Sequence, residues 1–392
     1  MWWSTEASEA PRTESALAEV LAALEGALPP GVPHLALVFF SHHHQAEAAS
    51  VGLALRARWP ALRVIGASGG GLVAGARELE RGPALSITLG QLPDVAITAF
   101  HLFPDELQRG RESPALLRRR LALPANQRPA FLLLPDRRRD DAEALCEAFD
   151  GAYPDCPKAG GGAGTGADPA LLLLDDRVYT EGIVGVALCG NLEMEVLVSP
   201  GATPIGRRLT ATAVDHKVIQ ELDDKPAVVM LDSVSASLPA AERDRFRAAP
   251  LVGVALDPDR SPLRAGDFQV VDLLAVNRGT GAIAVNSLIE EGALIQLHIR
   301  QPDAARAELE GLLLRARRDE EPPTLALLFA CMARGAWFFG QPNQDASALH
   351  RHLGPLPIAG LLCDGELGPA HGATRLHRYA AVVALIRPRR WD

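Results

Sequence analysis

Four short apolar runs recur along the chain at an almost constant spacing, and each ends in a small or polar residue. The runs start 96, 96 and 98 residues apart and cover residues 35–41, 131–136, 227–233 and 325–331. Continuous apolar runs of this length are typical of strands that are buried on both faces. A spacing that is kept over three intervals indicates an internal repeat.

The segments after each run also repeat. In each unit, a stretch of helical periodicity is followed by a second predicted strand that contains glycine. These second strands cover residues 64–70, 158–162, 251–255 and 358–362. A crossover helix between two strands makes the strands parallel. Further strands are predicted at residues 84–89, 95–102, 183–188, 194–198, 268–276, 293–300 and 380–386. The pattern therefore predicts an α/β fold of four diverged βαβ-type units, which form mixed sheets flanked by helices in two pseudo-symmetric halves.

The domain division follows from the same units. Lys225 and Pro226 stand between the second and third units, where proline favours a break in regular structure. We expect an N-terminal extension with a helix over residues 1–29, a first domain over 30–225 and a second domain over 226–392.

The glycines at the ends of the second strands are candidates for ligand contact. Glycine late in a strand marks a positive φ or the close approach of another backbone or a ligand. In open α/β sheets, ligands bind beyond the carboxyl ends of the strands. Ser68, Gly70, Gly161 and Gly162 lie at such ends and are predicted to contact a ligand.

The fourth unit carries the most distinctive side chains. Cys331 ends its first strand, Arg334 follows shortly after, and Gly365 with Glu366 follow the second strand. Arg334 could bind a carboxylate through its guanidinium fork, and Glu366 would face Cys331 across adjacent strand ends. The alternative is an internal Arg–Glu ion pair that holds the loop, with Cys331 as a small buried residue.

Two segments are similar to known catalytic or phosphate-binding motifs, but each departs from the known pattern. Residues 66–70 fit the G-x-S-x-G nucleophile elbow of serine hydrolases around Ser68, but the glycines that follow are poor helix formers. The run from Gly160 to Gly166 is glycine-rich but has neither G-x-G-x-x-G spacing nor a terminal Lys-Ser/Thr pair. A glycine-rich ligand loop and a flexible loop are the respective alternatives.

Three consecutive histidines follow the first strand. Three adjacent imidazoles cannot all point one way, so His42, His43 and His44 do not form a three-histidine metal site by themselves. One of them could ligate haem or a transition metal. The alternative is a solvent-facing or hydrogen-bonded role.

Composition narrows the class of protein. A net charge of −9 argues against a nucleic-acid partner, because a phosphate-binding surface needs clustered Lys and Arg. Five scattered cysteines without a C-x-x-C pair indicate neither a disulfide framework nor a zinc site. The N-terminus lacks the features of a signal peptide and the apolar runs are too short to span a bilayer. We therefore expect a cytoplasmic protein without a membrane partner.

Several of these segments resemble a known family. Residues 329–335 and 354–369, with the Gly-Glu of Gly365 and Glu366, are similar to the C-terminal FIST domain, although Ala333 stands where its motif has glycine. Residues 64–71, 158–163 and 179–185 resemble the FIST N domain. The resemblance implies a sensory module of signal transduction that binds small ligands such as amino acids, and some relatives are haem-based nitric-oxide sensors.

The resulting hypothesis is a non-catalytic sensor of a small polar ligand, an amino acid or a carboxylate, which acts alone or through a separate signalling protein. No cofactor is expected under this hypothesis, and the oligomeric state stays open. A haem-binding nitric-oxide sensor is the first alternative and a serine hydrolase through Ser68 is the second.

Overall fold

The chain forms two compact units, and the larger contains three repeats of one strand–helix arrangement. The computed structural model describes residues 1–136, 139–164 and 169–389. The larger unit comprises residues 1–198 and 309–392, and the smaller comprises residues 199–308. This division differs from the sequence division near residue 225, because the smaller unit interrupts the third repeat.

The first repeat occupies the N-terminal part of the larger unit. Its elements are β1 (Trp2–Ser8), α1 (Thr13–Ala27), β2 (Leu35–Phe40), α2 (Ala48–Arg58), β3 (Arg63–Ser68), β4 (Gly71–Ala74), β5 (Arg77–Leu79) and β6 (Leu85–Gln91). The expected N-terminal helix is α1, and β1 before it is a full sheet strand that pairs with β6.

The second repeat has the same order with a divided first helix. Its elements are β7 (Val95–Leu102), α3 (Pro104–Glu112), α4 (Pro114–Leu121), β8 (Ala130–Pro135), α5 (Arg139–Ala152), β9 (Lys158–Gly161), β10 (Leu172–Leu174), β11 (Arg177–Tyr179) and β12 (Ile183–Gly190). Pro114 begins α4 directly after α3 ends, which accounts for the division.

The smaller unit follows the first strand of the third repeat, β13 (Glu193–Ser199). Its elements are β14 (Thr203–Asp215), β15 (Val218–Leu222), β16 (Lys225–Pro226), α6 (Ala227–Ser237), α7 (Ala240–Ala248), β17 (Leu251–Ala255), β18 (Phe268–Asn277), β19 (Ala282–Val285) and β20 (Leu294–Ile299). They form a seven-stranded sheet in the order β14-β20-β17-β18-β19-β15-β16.

The third repeat continues after this insertion. Its remaining elements are α8 (Pro302–Ala316), β21 (Leu325–Cys331), α9 (Ala336–Phe339), α10 (Gln344–Leu353), β22 (Ile358–Cys363), β23 (Glu366–Ala370), β24 (Ala373–His377) and β25 (Ala381–Arg387).

Three six-stranded sheets of the larger unit share one strand order. The orders are β1-β6-β2-β3-β10-β11, β7-β12-β8-β9-β23-β24 and β13-β25-β21-β22-β4-β5. Each sheet takes its last two strands from another repeat: the first receives the hairpin of the second repeat, the second that of the third, and the third that of the first. The predicted α/β class, with mixed sheets flanked by helices, is confirmed. The equivalence among sheets is threefold, however, rather than between two halves, and the three exchanged hairpins were not predicted.

The central strands bury both faces, as their apolar runs predicted. Leu35, Leu37 and Phe39 of β2 point into a core shared with alternate residues of β8 and β21. The intervening residues Val38 and Phe40 pack instead in a separate core with α1 and α2. Alternation across a strand thus supplies one common core and a separate helix-covered core for each sheet.

One of the predicted strands is wrong: residues 227–233 belong to α6. Its buried residues Ala227, Val228, Met230, Leu231 and Val234 fit helical spacing, and Pro226 precedes the first turn. A short apolar run does not distinguish a buried strand from a buried helix. In addition, β17 pairs antiparallel with both β18 and β20, so the expected parallel βαβ unit is absent from the smaller unit.

The glycines within the second strands have a packing cause. A Cβ atom at Gly66, Gly160 or Gly360 would overlap the backbone carbonyl oxygen of Val38, Leu133 or Leu328 on the neighbouring parallel strand. The three repeats therefore need glycine at the same point for close backbone approach.

Within the described part of the chain, the helices are all too short or too polar to cross a bilayer.

Candidate functional site

The carboxyl ends of β3, β9 and β22 meet in the larger unit. The backbone N–H of Gly70 donates to the Leu362 carbonyl (3.0 Å), that of Gly162 to Gly365 (2.9 Å) and that of Gly164 to Ser68 (2.8 Å). Each repeat is thereby bonded to the other two. The meeting point lies beyond the carboxyl ends of these strands, which is where ligands bind in open α/β sheets.

A pocket of about 170 Å³ opens beside this junction, at the ends of β21 and β22. It is lined by Cys331, Met332, Ala333, Cys363, Asp364, Gly365, Arg378 and Tyr379. Cys331 and Gly365 are thus among the predicted site residues that line it. The volume lies below the roughly 300 Å³ at which pockets for drug-sized ligands begin.

Two pocket residues have a left-handed backbone. Gly365 has a φ of 110°, and Tyr379 has a φ of 59°. A bulky residue rarely adopts this conformation, and the strain concentrates at ligand sites. Asp364, Arg378 and Tyr379 were not predicted from sequence, although Asp364 directly follows the carboxyl end of β22 and Arg378 directly follows that of β24.

The predicted glycines support the pocket from behind. A Cβ at Gly70 would collide with the Met332 side chain, and one at Gly161 would lie 2.6 Å from the Cys363 sulfur. A Cβ at Gly162 would lie 3.0 Å from the Asp364 carbonyl oxygen. These glycines therefore lie behind the lining of the pocket. Because they have no side chain, the residues of the pocket wall can pack closely against them.

Glu366 lies buried next to the pocket. Its side chain is 0% exposed and accepts hydrogen bonds from the backbone N–H groups of Gly365 (3.3 Å) and Ala380 (3.2 Å). The Cys363 thiol lies 3.8 Å from its Oε1. Burial raises the pKa of Glu366 well above its ordinary value. The site therefore contains a shielded carboxyl group in contact with a thiol.

Arg334, the predicted carboxylate-binding residue, does not line the pocket. Its guanidinium is 1% exposed and donates from Nε and Nη2 to the two carboxylate oxygens of Asp345, at 2.8 and 2.9 Å. The guanidinium also lies over the Phe339 ring, 5.4 Å from its centroid. The internal ion pair weighed from the sequence is present, but its acid is Asp345 of α10 and not Glu366.

Glu78 links the first repeat to this ion pair. Its Oε1 accepts the backbone N–H of Ala346 at the first turn of α10 (2.8 Å), next to Asp345. Burial and then the Asp345 charge raise the pKa of Glu78 to about 7, against an ordinary value of 4.5. The exchanged hairpin β4–β5 thus brings a titratable carboxyl group to α10, the helix whose Asp345 pairs with Arg334.

Replacing Glu78 by glutamine is expected to remove a pH dependence of stability. Between pH 4.5 and about 7 the folded state holds a proton on Glu78 that the unfolded state has lost, so the free energy of unfolding falls as pH rises. The fall attributable to Glu78 is about 3 kcal/mol. Thermal midpoints between pH 4.5 and 8 should therefore decline less in Glu78→Gln than in the wild type. Equal declines in both proteins, and in the exposed control Glu14→Gln, would contradict the assignment.

Ser68 is held by backbone contacts rather than presented as a nucleophile. Its side chain is 1% exposed, and its Oγ accepts the backbone N–H of Leu171 at 3.0 Å. Strand β4 begins three residues later, so the residues after Ser68 lack the helix that a nucleophile elbow requires. The neighbouring glycine loop is described as far as Gly164; Thr165, Gly166, Ala167 and Asp168 lie outside the described residues.

The three histidines lie in a short 3₁₀ turn after β2. His42 and His43 are exposed, with ring centroids 3.8 Å apart, and His43 Nδ1 lies 3.2 Å from Ser41 Oγ. His44 is 1% exposed and hydrogen bonded through Nδ1 to Thr13 Oγ1 at 2.9 Å, and burial lowers its pKa. A haem iron could reach the buried Nε2 of His44 only if its surroundings moved, so His44 does not fit an axial haem ligand as it stands. The described residues contain no cluster of three metal-ligating side chains.

Comparisons with known proteins agree on the family. The FIST N domain model matches residues 34–225, and the FIST C domain model matches residues 229–369. The uncharacterized protein Rv0628c of Mycobacterium tuberculosis is 32% identical over 381 residues, which cover 96% of this chain and 97% of that protein. The uncharacterized protein Mb0898c of Mycobacterium bovis is 32% identical over 358 residues, or 90% of each chain.

Two solved structures show a distant likeness. A cyanuric acid hydrolase from A. caulinodans matches with a TM-score of 0.36 at 12% identity, covering 99% of this chain and 100% of its own. A second cyanuric acid hydrolase matches with a TM-score of 0.33 at 9% identity, with the same coverage. Nothing about function follows from likeness at this level.

Proposed function

Because the chain belongs to the FIST family, whose domains are sensory domains of signalling proteins, we propose that it senses a small amino acid or carboxylate through the pocket beside β21 and β22. The observation that carries this proposal is the small pocket at the junction of the three repeats, with residues of opposite charge on its wall.

The lining suits a small zwitterion. Arg378 can pair with a ligand carboxylate, and Asp364 can accept hydrogen bonds from a ligand ammonium group. Met332 and Tyr379 supply apolar and aromatic surface for a short side chain. A volume of about 170 Å³ leaves room for one such molecule and excludes a haem-sized group.

The pocket is also placed where binding can be transmitted. Gly365 lines it and bonds through its carbonyl to Gly162 of the second repeat, while Met332 packs on Gly70 of the first. A ligand that prefers one arrangement of these contacts would shift the population of the larger unit toward it. The signal would then pass to a separate protein that reads this change.

Replacing Arg378 by alanine is expected to weaken ligand binding about tenfold to a hundredfold, since a charge-assisted hydrogen bond contributes about 1.5–3 kcal/mol. Amino acids and small carboxylates are first screened by their effect on the thermal midpoint of the full chain. The affinity of any stabilising compound is then measured by calorimetry for the wild type, Arg378→Ala and Arg375→Ala. Arg375 is an exposed residue of β24 that does not line the pocket, so its variant should bind normally.

Two results would reject this proposal. One is a screen in which none of these compounds raises the midpoint. The other is a compound that binds Arg378→Ala and Arg375→Ala equally well, because it would then occupy a different site.

A further inference from the structure

Two cysteines lie side by side at the strand ends that form the pocket. Strands β21 and β22 are parallel, and their register pairs Cys331 with Cys363. Residues paired in this way point to the same face of the sheet, and neighbouring strands are about 5 Å apart. That spacing lies within the Cα separation of about 4.4–6.8 Å that disulfides require. Among the strand pairings of the described residues, this one alone has cysteine on both strands.

The two thiols differ in access. Cys331 is 9% exposed and lines the pocket, so a small molecule inside the pocket can reach its sulfur. Cys363 also borders the pocket but is 0% exposed, and its sulfur lies against the space left by Gly161. Burial, followed by the Glu366 charge, raises the pKa of Cys363 well above its ordinary value. Cys331 is therefore suited to react first, and Cys363 to react second.

We propose that Cys331 and Cys363 are a modification site for small hydroperoxides such as hydrogen peroxide, which convert the pair into a reversible disulfide. This inference does not depend on the pocket's binding of an amino acid. It rests on the register of the two strands and on the exposure of one thiol to the pocket.

The reaction has two balanced steps. The Cys331 sulfur, after losing its proton, attacks one peroxide oxygen, the O–O bond breaks, and Cys331 becomes a sulfenic acid. The other oxygen leaves as hydroxide, which combines with the proton from Cys331 to form water. The Cys363 sulfur then attacks the Cys331 sulfur, and the sulfenic oxygen leaves as water. The Cys363 thiol proton goes to the sulfenic oxygen as that oxygen leaves, while the buried Glu366 stays 3.8 Å from the Cys363 sulfur. Two thiols and one peroxide give one disulfide and two waters, and the peroxide gains the two electrons that the sulfurs lose.

Oxidation would alter the pocket wall. In the reduced protein the Cys363 sulfur contacts Glu366 Oε1 and lies 3.6 Å from the Ala330 carbonyl oxygen. A bond to Cys331 removes the thiol hydrogen that either oxygen could accept. Gly365, which lines the pocket, precedes Glu366 and donates its N–H to the same Oε1. The redox state of the pair is thereby linked to the geometry of the pocket.

The test uses the full-length reduced protein, treated with increasing hydrogen peroxide and then alkylated under denaturing conditions. We expect two of the five thiols to become unreactive toward the alkylating reagent and to return after dithiothreitol. Tryptic digestion should yield residues 319–334 linked to residues 352–375, with the loss of two hydrogen atoms. Absence of this linked peptide while other thiols oxidise, or while all five stay reduced, would overturn the proposal.

Three single variants sharpen the test. Cys146→Ser changes a buried cysteine of a separate core and should leave the linked peptide unchanged. Cys331→Ser should abolish thiol loss at Cys363. Cys363→Ser, or Cys363→Ala where serine impairs folding, should leave Cys331 as a sulfenic acid that dimedone traps. Oxidation of Cys363 in Cys331→Ser at the wild-type rate would show that Cys331 is not the primary target, and would also overturn the proposal.

Discussion

Replacing Arg334 by methionine is expected to destabilise the larger unit by about 3–5 kcal/mol. The substitution removes the guanidinium from Asp345, whose side chain is 2% exposed, and so leaves a buried carboxylate without its cation. Methionine keeps much of the volume that packs on Phe339, so a cavity contributes little to the change. The free energy of unfolding from urea denaturation, followed by far-ultraviolet circular dichroism, measures the loss.

Two further variants separate this cause from a general effect of losing an arginine. Arg109→Met breaks an exposed ion pair with Asp105, in which the side chains are 59% and 70% exposed, and should cost less than about 1 kcal/mol. The double variant Arg334→Met with Asp345→Leu removes both charges and should recover most of the loss. If Arg334→Met were as stable as Arg109→Met, the buried ion pair would not be a stabilising element of the site.

Replacing Gly360 by alanine is expected to cost about 3 kcal/mol or more and to disturb the pocket. The new Cβ would overlap the carbonyl oxygen of Leu328 on the parallel neighbour β21. Backbone atoms in the middle of a sheet cannot rotate away as a flexible side chain would, so β21 and β22 must separate. The cysteines that end these two strands would move with them. Thermal unfolding of the full chain measures the effect.

Gly26→Ala is the matched control for this substitution. Gly26 lies in α1, and a Cβ there would meet no atom within 4 Å. Alanine is the better helix former, so this variant should be more stable than the wild type by about 0.5–1 kcal/mol. If Gly360→Ala behaved like Gly26→Ala, close backbone approach would not be the reason for glycine in β22.

Part of the candidate site was predictable from the positions of residues at strand ends. Cys331 and Gly365 line the pocket, and Gly70 and Gly161 pack behind the lining. The partner of Arg334 was not predictable in this way. Glu366 and Asp345 are both acidic residues of the same repeat, and only the packing of α10 decides which of them meets the guanidinium.

The pattern of apolar residues by itself determined the fold class and three of the four repeated strands. Long apolar runs such as β2, β8 and β21 are stable only when both faces are buried, and that requirement is local to the run. The same pattern was ambiguous at residues 227–233, because a run of five apolar residues can be buried as a strand or as a helix. The inserted unit, which is close to one repeat in length, preserved the regular spacing and concealed the difference.

Only the tertiary structure decided which hairpin completes which sheet. The hairpin β4–β5 pairs with β22 of the third repeat, although β3 of its own repeat precedes it directly. Backbone hydrogen bonds between strands have the same chemistry for every sequence, so pairing depends on which strand edges the folded core brings together. The pocket depends on that choice, because its wall belongs to the third repeat and the glycines packed behind it belong to the first and second repeats.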